Sequence, residues 1–345
     1  MLKKALLVSA AAFLAYRLNA KGHTRPLEGE NSIAELKSIR INDTDIWATI
    51  RGQDKNNPVL LCVTGGPCGT EIPLIEMYEK ELEKHFTIVH YDQRGAGKSF
   101  SFFKDYSDLT YEDHVNDLIA LSEYLCTYLN KEKIYLLGHS YGTFLATVAA
   151  SRRPDLYEAY VGIGQMSDMA RAESYSLESC IEAAKEKGNT KDAEYLESIR
   201  EKVKNGETIC PRNYVRKYGF AEHEKSNAVA QLVKSIVFGP EYNIMDGIKF
   251  FYSAAKHAMP LAMQCVKDPL PELVKEIKVP TYFLLGKYDG MTNTKAAREY
   301  FDELNATEGK QFIIFDNSAH SPQVEENEKF VEWMSNDLLD KNKTL

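Results

Sequence analysis

Six short apolar runs punctuate the chain: PVLLCVTGG (58–66), FTIVHYD (86–92), KIYLLGHS (133–140), AYVGIGQ (159–165), PTYFLLGKYD (280–289) and QFIIFDN (311–317). Each is bounded by turn residues and too short for an ordinary helix, which predicts strands buried on both faces. Ahead of them, IAELKSIRI and DIWATIRG alternate apolar and polar positions around NDTD, the pattern of a β-hairpin. Between the runs the period lengthens. TYEDHVNDLIALSEYLCTYL (110–129) has helical spacing with Thr110 as its N-cap, and YGTFLATVAASRRP (141–154) is a helix stopped by proline. Strands alternating with helices over short connections predict an α/β fold, a doubly wound and mostly parallel sheet.

From Met166 to about Leu273 the strand runs vanish. Charged, helix-forming stretches replace them, among them ARAESYSLESCIEAAKEKG, SNAVAQLVKSIVFGP and IMDGIKFFYSAAKHAM. The sheet pattern resumes at Val279. The organisation expected is a core made of residues 25–165 and 274–345, with residues 166–273 inserted as a helical cap over the strand ends. Residues 1–24 form a separate N-terminal segment.

That segment, MLKKALLVSAAAFLAYRLNAKG, carries two lysines and then an apolar run. The run is shorter than the ~20 residues that span a bilayer. Its length suits a signal-peptide h-region, but a good small-x-small cleavage site is missing, because LNA puts Leu18 at the outer small position. An uncleaved anchor, giving membrane association through residues 5–18, is the first expectation. A cleaved export signal and a cytoplasmic amphipathic helix are the alternatives. A net charge of −8 offers no basic stripe for phosphates, which argues against a nucleic-acid partner. The six cysteines form no C-x-x-C pair, so zinc and dithiol chemistry are not indicated. Oligomeric state is left open.

RGAGKSF (94–100) invites a nucleotide reading. A P-loop requires G-x-x-x-x-G-K-[ST], and counting back from Gly97-Lys98-Ser99 puts its first glycine on Asp92, whose carboxylate would repel phosphate. The stretch therefore needs another explanation.

The chemistry-bearing motif is LLGHSYGTFLA. It holds G-x-S-x-G, Gly138-His139-Ser140-Tyr141-Gly142, at a strand-to-helix junction. There the serine sits on a strained turn, and the flanking glycines allow the close approach of strand and helix. A serine hydroxyl becomes nucleophilic only when an imidazole takes its proton. In this fold the order is Ser, then acid, then His. The acid at a late strand end is Asp289, in LLGKYDGMT, and the histidine after the last strand is His320, in FDNSAHSPQ. Donors for an oxyanion are expected from the backbone N–H of Tyr141 and, in the loop TGGPCGT (64–70), from that of Gly66.

TGGPCG, YDQRGAGKS, GHSYGT, GKYD and SAHSP together resemble the α/β-hydrolase family. The branch it looks most like is the proline iminopeptidase-like serine peptidases, whose patterns run HGGPG, DQRG-x-G-x-S and G-x-S-x-G. The resemblance covers roughly residues 30 to 345. It implies that Asp92-Gln93-Arg94-Gly95 and Ser99 brace the loops beside the site, with Lys98 variable and solvated. Thr64 and Cys68 depart from the HGGPG pattern and sit beside the oxyanion loop. The resemblance also implies cap carboxylates for a substrate's α-ammonium. FGPEYNIMDG (238–247) makes Glu241 the candidate, with Glu173 and Glu178 behind it and Tyr242 among the aromatics for an apolar pocket.

The expected function is a serine hydrolase acting on a small-molecule or short-peptide substrate, by preference a peptide or amide with a free N-terminus, without metal or organic cofactor. A carboxylesterase of the same fold is the close alternative. A non-catalytic binding protein of this fold is the alternative of another class. Epoxide hydrolases and haloalkane dehalogenases need Asp at the elbow, where this chain has Ser140.

Overall fold

The structure is a computed structural model that describes residues 12, 15–18, 20–75, 79–223 and 228–339, the side chains of residues 228 and 229 excepted. Ten strands are present among them: β1 (Ile33–Ile41), β2 (Thr44–Gly52), β3 (Val59–Val63), β4 (Thr87–Tyr91), β5 (Ile134–His139), β6 (Tyr157–Ile163), β7 (Glu276–Ile277), β8 (Thr281–Gly286), β9 (Asn305–Ala306) and β10 (Lys310–Phe315). Eight of them form one sheet in the order β1-β2-β4-β3-β5-β6-β8-β10. β1 and β2 are the hairpin the alternation predicts, and β2 runs antiparallel to β4. From β4 to β10 every pair is parallel. The short β7 and β9 pair apart from the main sheet.

The apolar runs became strands because both faces of the sheet are covered. Along β3, Leu61 and Val63 point into one core cluster while Leu60 and Cys62 point into another. The first cluster is closed by the helices Tyr111–Tyr128 and Tyr141–Arg152, the second by Phe330, Trp333, Met334 and Leu338 near the C-terminus. Thr110 starts the first helix through a capping box with Asp113. Val115, Leu118, Leu121 and Leu125 recur at three- and four-residue spacing and are fully buried.

Among the described residues, seven helices lie between β6 and β7, from Met169–Glu186 to Leu270–Leu273. The first four of them hold a core of their own, built on Leu177, Ile181, Leu196, Val203 and Val215.

Most of the N-terminal apolar run falls outside the described residues, and no helix among the described residues is long and apolar enough to cross a membrane. Residues 15–18 are helical and end on protein. The Arg17 guanidinium donates to the carbonyls of Ile236, Gly239 and Tyr242 at 2.7–3.0 Å. His23 N–H donates to Pro240 O, and Asn243 Nδ2 donates to Ala20 O. Arg17, Ala20 and His23, in the stretch that the sequence sets apart as an N-terminal segment, are thus bonded to the helical insertion.

Candidate active site

Ser140 sits between β5 and the helix Tyr141–Arg152 with φ 54° and ψ −123°. That is a costly conformation for a residue with a side chain, and it persists only where the surroundings enforce it. Close approach enforces it here. A Cβ at Gly142 would lie 1.8 Å from Val63 O, so helix and sheet can meet only through glycine at that position. The Ser140 N–H donates to Ile163 O at 2.9 Å, which ties the turn to the end of β6.

Asp289 follows β8. Its Oδ1 accepts from the N–H groups of Met291 and Thr292, and its Oδ2 accepts from Thr292 Oγ1 at 2.8 Å and His320 Nδ1 at 3.0 Å. Burial alone would raise the Asp289 pKa. The facing His320, its hydrogen bond and the Thr292 and Met291 donors outweigh burial and hold the carboxyl below its ordinary value. Since Nδ1 faces the carboxylate, Nε2 is the nitrogen left to exchange a proton. The His320 ring lies against Gly164, where a Cβ would come 3.0 Å from Nδ1 and Cε1. The His139 ring is a further neighbour, 5.0 Å away between centroids. Among the described residues no hydrogen bond joins Ser140 Oγ to His320. Such contacts are often long in empty sites and tighten with substrate.

The loop 64–70 closes over the serine. A Cβ at Gly65 would fall 2.8 Å from Ser140 Cβ and 3.0 Å from His139 O. Gln93 holds the loop, its Nε2 donating to Thr64 O at 2.8 Å and its Oε1 accepting from Cys68 N at 3.4 Å. Gly66 takes φ 126° next to it. Burial pushes the Cys68 thiol up to about 12, so it is a neutral thiol at physiological pH.

RGAGKS is a brace. Asp92 is fully buried and accepts from Thr70 Oγ1, Lys98 N and the Tyr242 hydroxyl. Burial lifts its pKa to about 6 in spite of these donors. Arg94 grips Asp117 with two nitrogens at 2.7 Å, and Ser99 Oγ donates to Asp92 O. Lys98 departs from the sequence expectation of a solvated side chain. It is buried, its Nζ 2.6 Å from Asp246 Oδ2 and 3.1 Å from Glu241 O, because the helix beginning at Ile244 brings a carboxylate to it.

The groups assigned to substrate binding from sequence all have protein partners, and three of them, Glu173, Glu241 and Tyr242, are buried. Glu173 is 1% exposed; it is gripped by Arg212 through two nitrogens and accepts from Cys210 N. Glu241 is buried and accepts from Thr24 Oγ1 at 3.3 Å. The Tyr242 hydroxyl is spent on Thr70 and Asp92. Glu178 pairs with Arg200. None of these contacts was readable, since every partner except Arg200 lies more than 35 residues away in the chain.

A second polar cluster escaped the sequence reading. Glu71, Glu79, His90 and His139 share the wall of a cavity of ≈ 180 Å³ with Leu74, Ile75, Glu222, Ser321 and residues 323–325. The signal was a histidine inside each of two apolar strands, TIVHY and IYLLGH. Cys62 brings its thiol within 4.8 Å of the His90 and Glu79 donors. His90 Nε2 is already bonded to Glu79 Oε2 at 2.5 Å, so the group is an ion pair with a thiol behind it rather than an open ligand set.

Residues 58–327 match the model of the alpha/beta hydrolase fold family. A probable aminopeptidase of Bacillus subtilis (strain 168), YbaC, is 32% identical over 89% of this chain and 96% of its own length. A proline iminopeptidase of Saccharolobus solfataricus is 27% identical over 82% of this chain and 84% of its own. Among solved structures, a proline iminopeptidase-related protein of Thermus thermophilus superposes with a TM-score of 0.60 at 19% identity, covering 91% of this chain and all of that one.

Proposed function

The chain belongs to the alpha/beta hydrolase family, in its proline iminopeptidase-like branch, and we propose that it is a serine hydrolase that removes N-terminal residues from short peptides. The observation that carries this reading is the Asp289–His320 hydrogen bond, with the His320 ring 5.0 Å from that of His139, the residue before a serine on a strained elbow. Ser140 Oγ attacks the carbonyl carbon while its proton passes to His320 Nε2. Asp289 holds the imidazole tautomer and stabilises the imidazolium that forms. The carbonyl oxygen becomes an oxyanion facing the N–H groups of Gly66 and Tyr141. Collapse breaks the C–N bond, and the leaving amine takes the proton from His320. Water, deprotonated by the same imidazole, then attacks the acyl-enzyme and regenerates Ser140. The peptide preference draws on the relatives named aminopeptidase and proline iminopeptidase.

The test is a fluorophosphonate probe followed by a substrate panel. Ser140 is expected to be labelled in the wild type, and Ser140→Ala to lose both labelling and hydrolysis. Aminoacyl-arylamides, proline among them, are expected to be cleaved faster than short-chain esters. Ester cleavage with arylamides untouched would move the assignment to a carboxylesterase. A folded wild type that resists the probe would favour a binding protein.

A further inference from the structure

His139, the variable residue of G-x-S-x-G, stands between two acceptors. Its Nε2 lies 3.2 Å from the backbone O of His320. A carbonyl can only accept, so Nε2 carries a proton. Its Nδ1 lies 3.6 Å from Glu71 Oε1. A neutral ring with the proton on Nε2 would turn a lone pair toward a carboxylate. The arrangement therefore favours the imidazolium, protonated on both nitrogens.

Glu71 is itself fixed from two further sides. Its Oε2 accepts from Thr64 Oγ1 at 3.0 Å and lies 3.4 Å from His90 Nδ1, while His90 Nε2 is bonded to Glu79. Thr64 opens the loop that closes over Ser140, and His320 ends the loop after β10. Charges thus alternate along Glu79, His90, Glu71 and His139. The row ends on the backbone of the residue that would take the serine's proton.

We propose that His139, clamped by Glu71, is a positioning residue for His320: it ties the loop after β3 to the loop after β10 and so presents the His320 ring to Ser140. This rests on the serine hydrolase reading for its catalytic consequence, but the clamp itself does not. Burial opposes charge on both histidines, yet the carboxylates beside them win. The pKa of His139 is raised, chiefly by Glu71, and that of His90 is raised well above its usual value by Glu79, Cys62 and Glu71. The same contacts, against burial, hold Glu71 far below the ordinary carboxylate range. The other groups facing His139 are the His320 ring, 5.0 Å away between centroids, Ser321 Oγ at 3.5 Å, Asp289, whose charge also favours the imidazolium, and Glu222 and Glu325, which line the same cavity.

The consequence is a release at high pH. When His139 loses one proton, Glu71 retains the other on Nδ1, and the Nε2 lone pair then faces the His320 carbonyl. Attraction becomes repulsion, and the loop loses its anchor.

The experiment combines pH-rate profiles with imidazole NMR on the full chain. In the wild type, kcat and the rate of fluorophosphonate labelling are expected to fall at alkaline pH. His139→Phe should lower kcat by roughly 10- to 100-fold with KM changed less than about twofold, the signature of misplacement rather than lost binding. His139→Gln, whose amide N–H donates without titrating, should recover most of that loss and flatten the alkaline limb. Glu71→Gln should move the limb to lower pH. A kcat and a profile in His139→Phe equal to those of the wild type would overturn the proposal, and so would an alkaline limb left in place by His139→Gln. On ¹⁵N-histidine-labelled protein, two protonated nitrogens on His139 at neutral pH, lost in Glu71→Gln, support the clamp even if Ser140 fails to label. Such a failure would sink the hydrolase reading alone, whereas a neutral His139 sinks the clamp whatever the labelling shows.

Discussion

Asp289 Oδ2 accepts from His320 Nδ1 and from Thr292 Oγ1 at once, at 3.0 and 2.8 Å, while Oδ1 takes two backbone N–H groups. The carboxylate is held from every side before any substrate arrives. Asp289→Asn keeps the shape but presents an amide N–H or a weaker acceptor to Nδ1, which allows the wrong tautomer. The expected result is a kcat lower by about 10⁴ with KM little changed. The check is steady-state kinetics with circular dichroism to confirm the fold. A loss under about tenfold would assign the acid role elsewhere.

Gly65 touches the nucleophile more closely than a side chain permits. A methyl group there would sit 2.8 Å from Ser140 Cβ, and the His139 carbonyl at 3.0 Å blocks the alternative shift. Gly65→Ala is therefore expected to displace the serine or the loop by some tenths of an ångström. Misplacement on that scale costs up to about 100-fold in rate. The thermal midpoint should move less than the activity does. Equal activity in the variant would show that the loop yields freely.

The strands and the elbow were legible because their signals are local. VLLCV and TYFLLG declare buried strands within six residues, and Thr110 with Asp113 declares a helix start within four. Asp289 and His320 could be picked as a pair because strand ends in this fold carry function in a fixed order, and they lie hydrogen-bonded to each other. The partners of Lys98, Glu173 and Tyr242 were hidden for the opposite reason. Lys98 meets its carboxylate 148 residues away, Glu173 meets Arg212 39 away, and Tyr242 meets Asp92 150 away. Charge and hydroxyl alone do not say whether such a side chain faces solvent, substrate or a distant partner. The His139–Glu71 contact was hidden in the same way, between the end of β5 and the loop after β3, neighbours in the sheet but far apart in the chain.

Lys98 and Asp246 form a buried pair, their side chains 5% and 8% exposed. Lys98→Met leaves the buried Asp246 carboxylate with only the longer contact to Lys249, 3.9 Å away, and breaking one partner of a buried pair costs up to about 3–5 kcal/mol. The double variant Lys98→Met/Asp246→Leu removes both charges and should recover much of that loss. Urea unfolding of the single and double variants measures the difference. ATP and GTP are expected to leave the unfolding midpoint unchanged, since Lys98 is turned to Asp246 and not to a phosphate. A nucleotide-dependent rise would revive the P-loop reading.

The buried charges also set how stability follows pH, and the sign differs between acids and bases. Glu71 and Asp289 have folded pKa values below their unfolded ones. They contribute stability above the unfolded carboxyl range, about 4, and it is lost as pH falls through the folded values. His90 and His139 are raised, so their contribution is complete below about 6.5 and is lost as pH rises through the folded values. Asp92, pushed up to about 6, acts with the histidines: the folded chain favours its proton and loses stability as pH rises from about 4 to 6. Urea unfolding from pH 4 to 9 should therefore show a decline on the alkaline side that begins above about pH 6.5. The decline should shrink in Glu71→Gln, because that variant removes a carboxylate that raises both histidines. Stability flat from pH 6.5 to 9 would mean that neither histidine holds a proton through its carboxylates, and the row of alternating charges would have no thermodynamic weight.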